Sequence, residues 1–432
     1  MNDTASAPSK FWAVVSVIVG GLLLLSGLVS ALGYLGLPLL ASGGVFLGPQ
    51  LGVVAGMFLG LVCGGLAVFH GIGTLLGRSS RPMRLPPVWF FWIVFAVVLG
   101  LGNLMLNFHF AEAYLFPLLF VLGAALPTLG VLAWITRRLG WPISTRQGAL
   151  ALVAGSTLSI LVAIVAESIL PYLAYVFIGP LQFLAASFGD LLSGGGSGFI
   201  ERLFYSPLAI VFLITTAVAA PIPEEIAKSL PLLIFGRRRI QSERQAFAIG
   251  VASGAGFAIL ENMLYQGLYA QANGWTWGGI TLLRGIGAVM HPLCSGLVAL
   301  GWYRMRERGV GAWVKALGLA IGIHTLWNGG FDVFVFFSGL SYYNAGTVSL
   351  YGLATEGLLV AFLAALALGL WWLLRRQAAN LAQDVTADLA PEIVSARALA
   401  GWAFACALVV VPIGAALGGA WPQIAAVIAG GR

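Results

Sequence analysis

The chain has little charge. Only 9% of its 432 residues are Asp, Glu, Lys or Arg, against about 25% in soluble globular proteins. That shortfall excludes a water-soluble domain, which needs more ionised groups to cover its surface. Cysteine is scarce as well. Cys63, Cys294 and Cys406 sit singly in apolar runs, which excludes a disulfide framework and a cysteine-based metal knuckle. No HExxH helix occurs. What is abundant is apolar: 60% of residues are hydrophobic and the mean hydropathy is +0.97, which also excludes a disordered chain.

A bilayer crossing needs about 20 mostly apolar residues. Eleven stretches qualify, near 11–35, 51–69, 87–108, 114–136, 148–170, 207–236, 245–269, 280–302, 313–338, 349–374 and 400–428. The first is too long for a cleavable signal peptide and lacks a small-residue cleavage site, so it is expected to remain as a membrane helix. Alternating crossings gather 18 of the 22 basic residues on one side. The positive-inside rule makes that side cytoplasmic, with the N-terminus there. The net charge of +7 is therefore a topology signal, and nucleic acid is not an expected partner. The expected fold is an all-α polytopic bundle of about eleven spans.

Between the spans, 171–206 is too apolar for a free loop and too broken by proline and glycine for a clean crossing. An interfacial or re-entrant element on the outer side fits it. The inner stretch 375–399 carries Leu381, Val385 and Leu389 at helical spacing and is expected to lie on the membrane surface. No internal repeat of the kind common in transporters is visible.

Each ionisable residue inside a span is costly and asks for a reason. Most of them fall in the sixth to ninth spans: Glu224, Glu225 and Lys228 in PIPEEIAK, Glu261 and Asn262 in GFAILEN, His291 and Ser295 in HPLCSG, and His324, Asn328 and Asp332 in HTLWNGGFD. Pro221 and Pro223 break span six, so that Glu224 and Glu225 open a new half-helix whose positive end favours carboxylates. Lys228 is three and four residues on and can reach either acid. Counted at the helical rise, Glu224, Glu261, His291 and His324 lie about 17–26 Å from the inner ends of their spans, depths that let them converge. Buried carboxylates and imidazoles suit water activation and metal ligation. The same groups also suit an ion- or proton-coupled transporter, and that reading stays open.

PEEIAK, FAILEN, HPLCS and HTLWN, in this order on successive spans, resemble the PrsW family of intramembrane proteases, itself distantly related to the CAAX-type prenyl endopeptidases. The resemblance covers about 205–340. It implies hydrolysis of a peptide bond in a membrane-anchored protein substrate, of the anti-sigma-factor type, in the cytoplasmic membrane of a prokaryotic cell. By this resemblance Glu224 and Glu225 match the Glu pair, Lys228 its basic partner, Glu261 the second acid and His291 and His324 the two histidines; Asn262 and Asn328, which also suit hydrogen bonds between helices, complete the candidate catalytic set. A metal, Zn²⁺ by preference, would be held by His291, His324 and Glu261; the prenyl-endopeptidase kinship points instead to a metal-free glutamate mechanism. The chain then divides into 1–204, a five-span region of open role, 205–340, the catalytic core, and 341–432, two spans with a cytoplasmic amphipathic loop.

The remaining polar residues have plainer readings. Lys228 also serves as counter-charge to the Glu pair. Glu167, Asp332 and Glu356 read as interfacial or bundle contacts. Arg284 is expected near the outer end of span eight, paired with Asp332, and His70 and His109 at span ends. Trp371 and Trp372 beside Arg375 and Arg376 read as an interfacial anchor.

Overall fold

The computed structural model describes residues 7–40, 47–108, 112–170, 214–235, 240–270, 274–345 and 350–382, with the single positions 176 and 400. Among them there is no strand, and nine helices are long and apolar enough to cross a membrane. The expected outer segment 171–206 and the eleventh span lie almost wholly outside the described residues, as does His109.

Helices α1 (Ala7–Leu40), α2 (Leu47–Phe58) and α3 (Gly64–Leu75) form an N-terminal group, α2 running into α3 through a π-type turn at Leu59–Cys63. Helices α4 (Val88–Phe108) and α5 (Glu112–Arg138) pack as a pair. α6 opens at Thr145–Ala154 and passes through a second π-type turn, Gly155–Ser159, in a span that reaches Leu170. Its start is encoded locally. Ser144 Oγ accepts from the Gln147 amide at 3.2 Å, and Gln147 Oε1 accepts from the Ser144 amide at 3.0 Å, so two unsatisfied donors of the first turn are closed reciprocally.

The expected break in the sixth span is present. A π-type stretch, Thr215–Ala219, precedes the seven-residue helix α7 (Pro221–Ala227), which stops at Lys228 and is followed by α8 (Leu230–Phe235). Pro221 and Pro223 fall in the first turn, where a missing N–H costs nothing. Ser253 Oγ donates to the Lys228 carbonyl at 2.9 Å, so the helix end is capped from a neighbouring span.

That neighbour, α9 (Glu243–Ala270), is the axis of the molecule: 94% of its apolar window is buried. It lies against α11 (Met290–Arg308), which is preceded by α10 (Gly274–Ile286) and a short 3₁₀ turn at Gly287–Val289. Contact between α9 and α11 runs through Gly250 and Gly254, where any Cβ would strike the Ser295 and His291 carbonyls. Lipid offers no hydrophobic drive for helix association, so such small-residue seams supply close van der Waals packing instead. α12 (Val310–Ala345) packs on α11, and α13 (Leu350–Ala382) packs on α12.

Two expected boundaries shift. α10 and α11 together form one 35-residue span, Gly274–Arg308, so Arg284 lies well inside it. α13 continues through Arg375 and Arg376 to Ala382, so the first part of the expected surface helix extends the preceding span. Trp372, beneath the Arg376 guanidinium at 5.4 Å, is exposed, as an interfacial anchor should be. His70 is buried, not interfacial.

Candidate functional site

Four segments deliver the site. α7 contributes Glu224 and Glu225, with Lys228 at its end; α9 contributes Phe257, Glu261 and Asn262; α11 opens with His291; α12 carries His324. Glu224, Glu225, Lys228, Asn262, His291 and His324 are all buried. α7 is too short to hold this arrangement alone. Glu224 lies in its first turn, where the helix dipole favours negative charge.

Lys228 is the hub. Its Nζ donates to Glu224 Oε2 at 3.0 Å and Glu225 Oε1 at 2.8 Å, and lies 2.9 Å from His291 Nδ1. The Phe257 ring covers it at 4.1 Å. An ammonium has three protons and no acceptor, so His291 Nδ1 accepts and all three donors are committed. The ring proton of neutral His291 therefore resides on Nε2, which faces Glu261 Oε2 at 2.6 Å without the alignment of a hydrogen bond.

His324 is set the opposite way round. Its Nδ1 lies 2.9 Å from Glu225 Oε1. Glu225 already accepts from Lys228, so Nδ1–H donates to the same oxygen. That leaves His324 Nε2 with its lone pair, buried and without a hydrogen-bond partner among the described residues, 3.7 Å from Glu224 Oε2. The two imidazole rings meet edge-on at 5.0 Å.

The donor chemistry fits a metal. One ligating atom each from Glu224, His291 and His324 lie within 4.8 Å of one another, and carboxylate oxygen with imidazole nitrogen is a donor set that Zn²⁺ accepts. The group could hold an ion. Glu261, placed in the ligand set by resemblance, stands behind His291.

Behind that carboxylate is Arg284. Its terminal nitrogen donates to Glu261 Oε2 at 2.6 Å and its Nε to Asn262 Oδ1 at 2.7 Å, so the expected pairing with Asp332 does not form. Asp332 instead accepts from Thr216 Oγ1 at 2.5 Å. Asn262 and Asn328 spend their amides between helices, donating to the Ala124 and Thr216 carbonyls at 3.3 and 3.2 Å. Glu167, near the C-terminal end of the α6 span, lies within electrostatic reach of Glu224 and Glu261 and so borders the cluster. Nothing in the spacing around Glu167 announces this. Arg284 had a readable signal, since it precedes His291 by seven residues, two helical turns.

Asn262, Arg284, His291 and Trp327 line a small cavity with Gly287 and Ala288, of a size to take about one water molecule. The Trp327 ring occupies the place a Gly287 Cβ would take; only glycine permits that approach one turn before His291.

Fold and site together define a polytopic helical membrane protein with a buried carboxylate–imidazole centre of the hydrolytic kind. The model of the PrsW family, described as PrsW family intramembrane metalloprotease, matches residues 144–354. The chain carries a PrsW-family domain: it is a membrane-embedded protease. The match begins at Ser144, so α6 and Glu167 fall inside the family region. No curated protein and no solved structure matches the chain.

Proposed function

We propose that the protein is an intramembrane endopeptidase that hydrolyses a peptide bond of a membrane-anchored protein in the cytoplasmic membrane of a prokaryotic cell, with the N-terminus on the cytoplasmic side. The observation that carries the reading is the pairing of Glu224 Oε2 with the free Nε2 of His324 at 3.7 Å in a buried site.

The roles follow from which lone pairs and protons are free. Glu225 is fully buried and bound to both Lys228 and His324, so it orients rather than reacts. Glu224 keeps slight exposure and is the base. A water that donates one proton to Glu224 and the other to His324 Nε2 presents its own lone pair to a carbonyl. Glu224 takes the proton during attack and returns it to the leaving amine, the usual duty of a general acid–base carboxyl. Lys228 fixes the Glu224 and Glu225 carboxylates in place through its two hydrogen bonds, while Glu261 and Arg284 hold His291. Asn262 and Asn328 position the helices that carry the acids and His324. A metal ion, Zn²⁺ by its ligand preference, would be held by Glu224, His291 and His324 once Lys228 releases His291 Nδ1, and would polarise the scissile carbonyl and acidify water.

The test is cleavage of a single-pass membrane protein, tagged at both ends, in proteoliposomes with the wild type and Glu224→Gln. The amide keeps the size and cannot take a proton. Cleavage by the wild type that Glu224→Gln abolishes is the expected result; equal cleavage by both removes Glu224 from the chemistry.

A further inference from the structure

We propose that the Lys228 ammonium and a divalent metal ion compete for one position in this site, so that the native lysine keeps metal occupancy low and its removal creates a strong metal centre.

The argument is one of lone pairs. A metal on His291 Nδ1 needs the lone pair that Lys228 engages, and one on Glu224 Oε2 has to share that oxygen with the ammonium. Glu224 Oε2 and His291 Nδ1 both accept from Nζ, at 3.0 and 2.9 Å, and Glu225 Oε1 is the third acceptor at 2.8 Å. Carboxylate, carboxylate and imidazole around one cation are the donors a small dication selects, and here the cation is an ammonium. The other nitrogen of His291 cannot substitute, because it carries the ring proton and abuts Glu261 at 2.6 Å. Of the buried donors left without a hydrogen bond, only His324 Nε2 and Glu225 Oε2 carry a lone pair to offer, and one imidazole with one carboxylate oxygen is short of the three protein ligands a Zn²⁺ site usually has.

Charge gives the same answer. Glu224, Glu225 and Glu261 face Lys228 and Arg284, so removing the ammonium leaves two adjacent carboxylates without their cation in a buried place. Adding a dication while the ammonium stays would set two cations against each other where water screens little. The Phe257 ring lies over Nζ at 4.1 Å, a further contact that holds the ammonium at this position.

The probe is Co²⁺ alone, titrated into the full-length protein in detergent and read by its visible absorption, with Zn²⁺ by equilibrium dialysis. Lys228→Met keeps the length of the side chain and removes its charge. The expected result is saturable binding by Lys228→Met at least about tenfold tighter than by wild type, the least that loss of a contacting like charge should give, with a metal-dependent rise in Tm confined to the variant. Should that variant not fold, Glu225→Gln/Lys228→Met removes both members of the innermost ion pair and leaves Glu224, His291 and His324 to bind. Wild type binding as tightly as the variant that folds, or no binding by that variant, overturns the proposal. Because metal is read without substrate, this outcome and that of the cleavage assay are independent: either reading can fail while the other stands.

Discussion

Arg284 grips Glu261 across two helices, guanidinium nitrogen to carboxylate oxygen at 2.6 Å, and the same oxygen lies 2.6 Å from His291 Nε2. A chain of contacts therefore leads from α10 through α9 to the imidazole, and on through His291 Nδ1 to Lys228 and the Glu pair. Arg284 touches none of the proposed reacting groups and acts through Glu261 and Asn262.

Arg284→Met is expected to destabilise the protein by up to about 3 kcal/mol, because it leaves the largely covered Glu261 carboxylate without its cation. Arg284→Met/Glu261→Gln, which removes both charges, should lose less than Arg284→Met alone. Thermal unfolding in detergent checks the order. A double variant less stable than Arg284→Met would mean the pair is not coupled.

Arg284→Lys separates positioning from mere charge. Lysine keeps the cation but cannot engage Glu261 and Asn262 together. With histidine ring nitrogens labelled, and only four histidines in the chain, the His291 signals should show a proton on Nε2 in the wild type and a mixture of tautomers in Arg284→Lys. Identical spectra would deny Arg284 a part in orienting His291.

Glu224 and Glu225 are neighbours with different duties. Glu224→Gln should cost about 10²–10⁴ in cleavage rate with little change in Tm. Glu225→Gln should lower both rate and Tm, because Glu225 anchors Lys228 and His324 at once. Rates and Tm values for the two variants side by side give the comparison. Equal loss of Tm in both would remove the distinction.

Gly254→Val tests the seam that places His291. Its side chain would meet the His291 carbonyl and Ser295 Oγ, and overpacking of this kind costs about 1–3 kcal/mol. Loss of both Tm and cleavage is expected, whereas Gly279, whose Cβ position is open, should accept alanine without either loss.

How much was legible in the sequence varies from residue to residue. The break at Pro221 and Pro223, with Glu224 in the following first turn, is local chemistry and stands in the structure as read. So is the reach of Lys228 to both acids, which helical spacing alone requires. Arg284 was misplaced because its span begins at Gly274, several residues before the apolar run suggests. Its partner then follows from packing against α9, which no spacing within α10 reveals. Glu167 reads from the sequence only as an interfacial or bundle contact, because hydropathy says where a helix lies and nothing about which face meets a neighbour.

The scarcity of charge determined the membrane class, since so few ionised residues cannot cover a water-soluble surface, and it made each buried acid conspicuous. Local sequence also determined where α7 starts and which residues lie within one helical turn of one another. Only the tertiary structure decided the protons. Whether His291 accepts through Nδ1, whether His324 keeps a free Nε2, and whether Glu261 faces a histidine or an arginine all depend on contacts between separate helices. Those contacts arise because buried charges and polar groups in a low-dielectric interior must find partners wherever the packing brings one within reach.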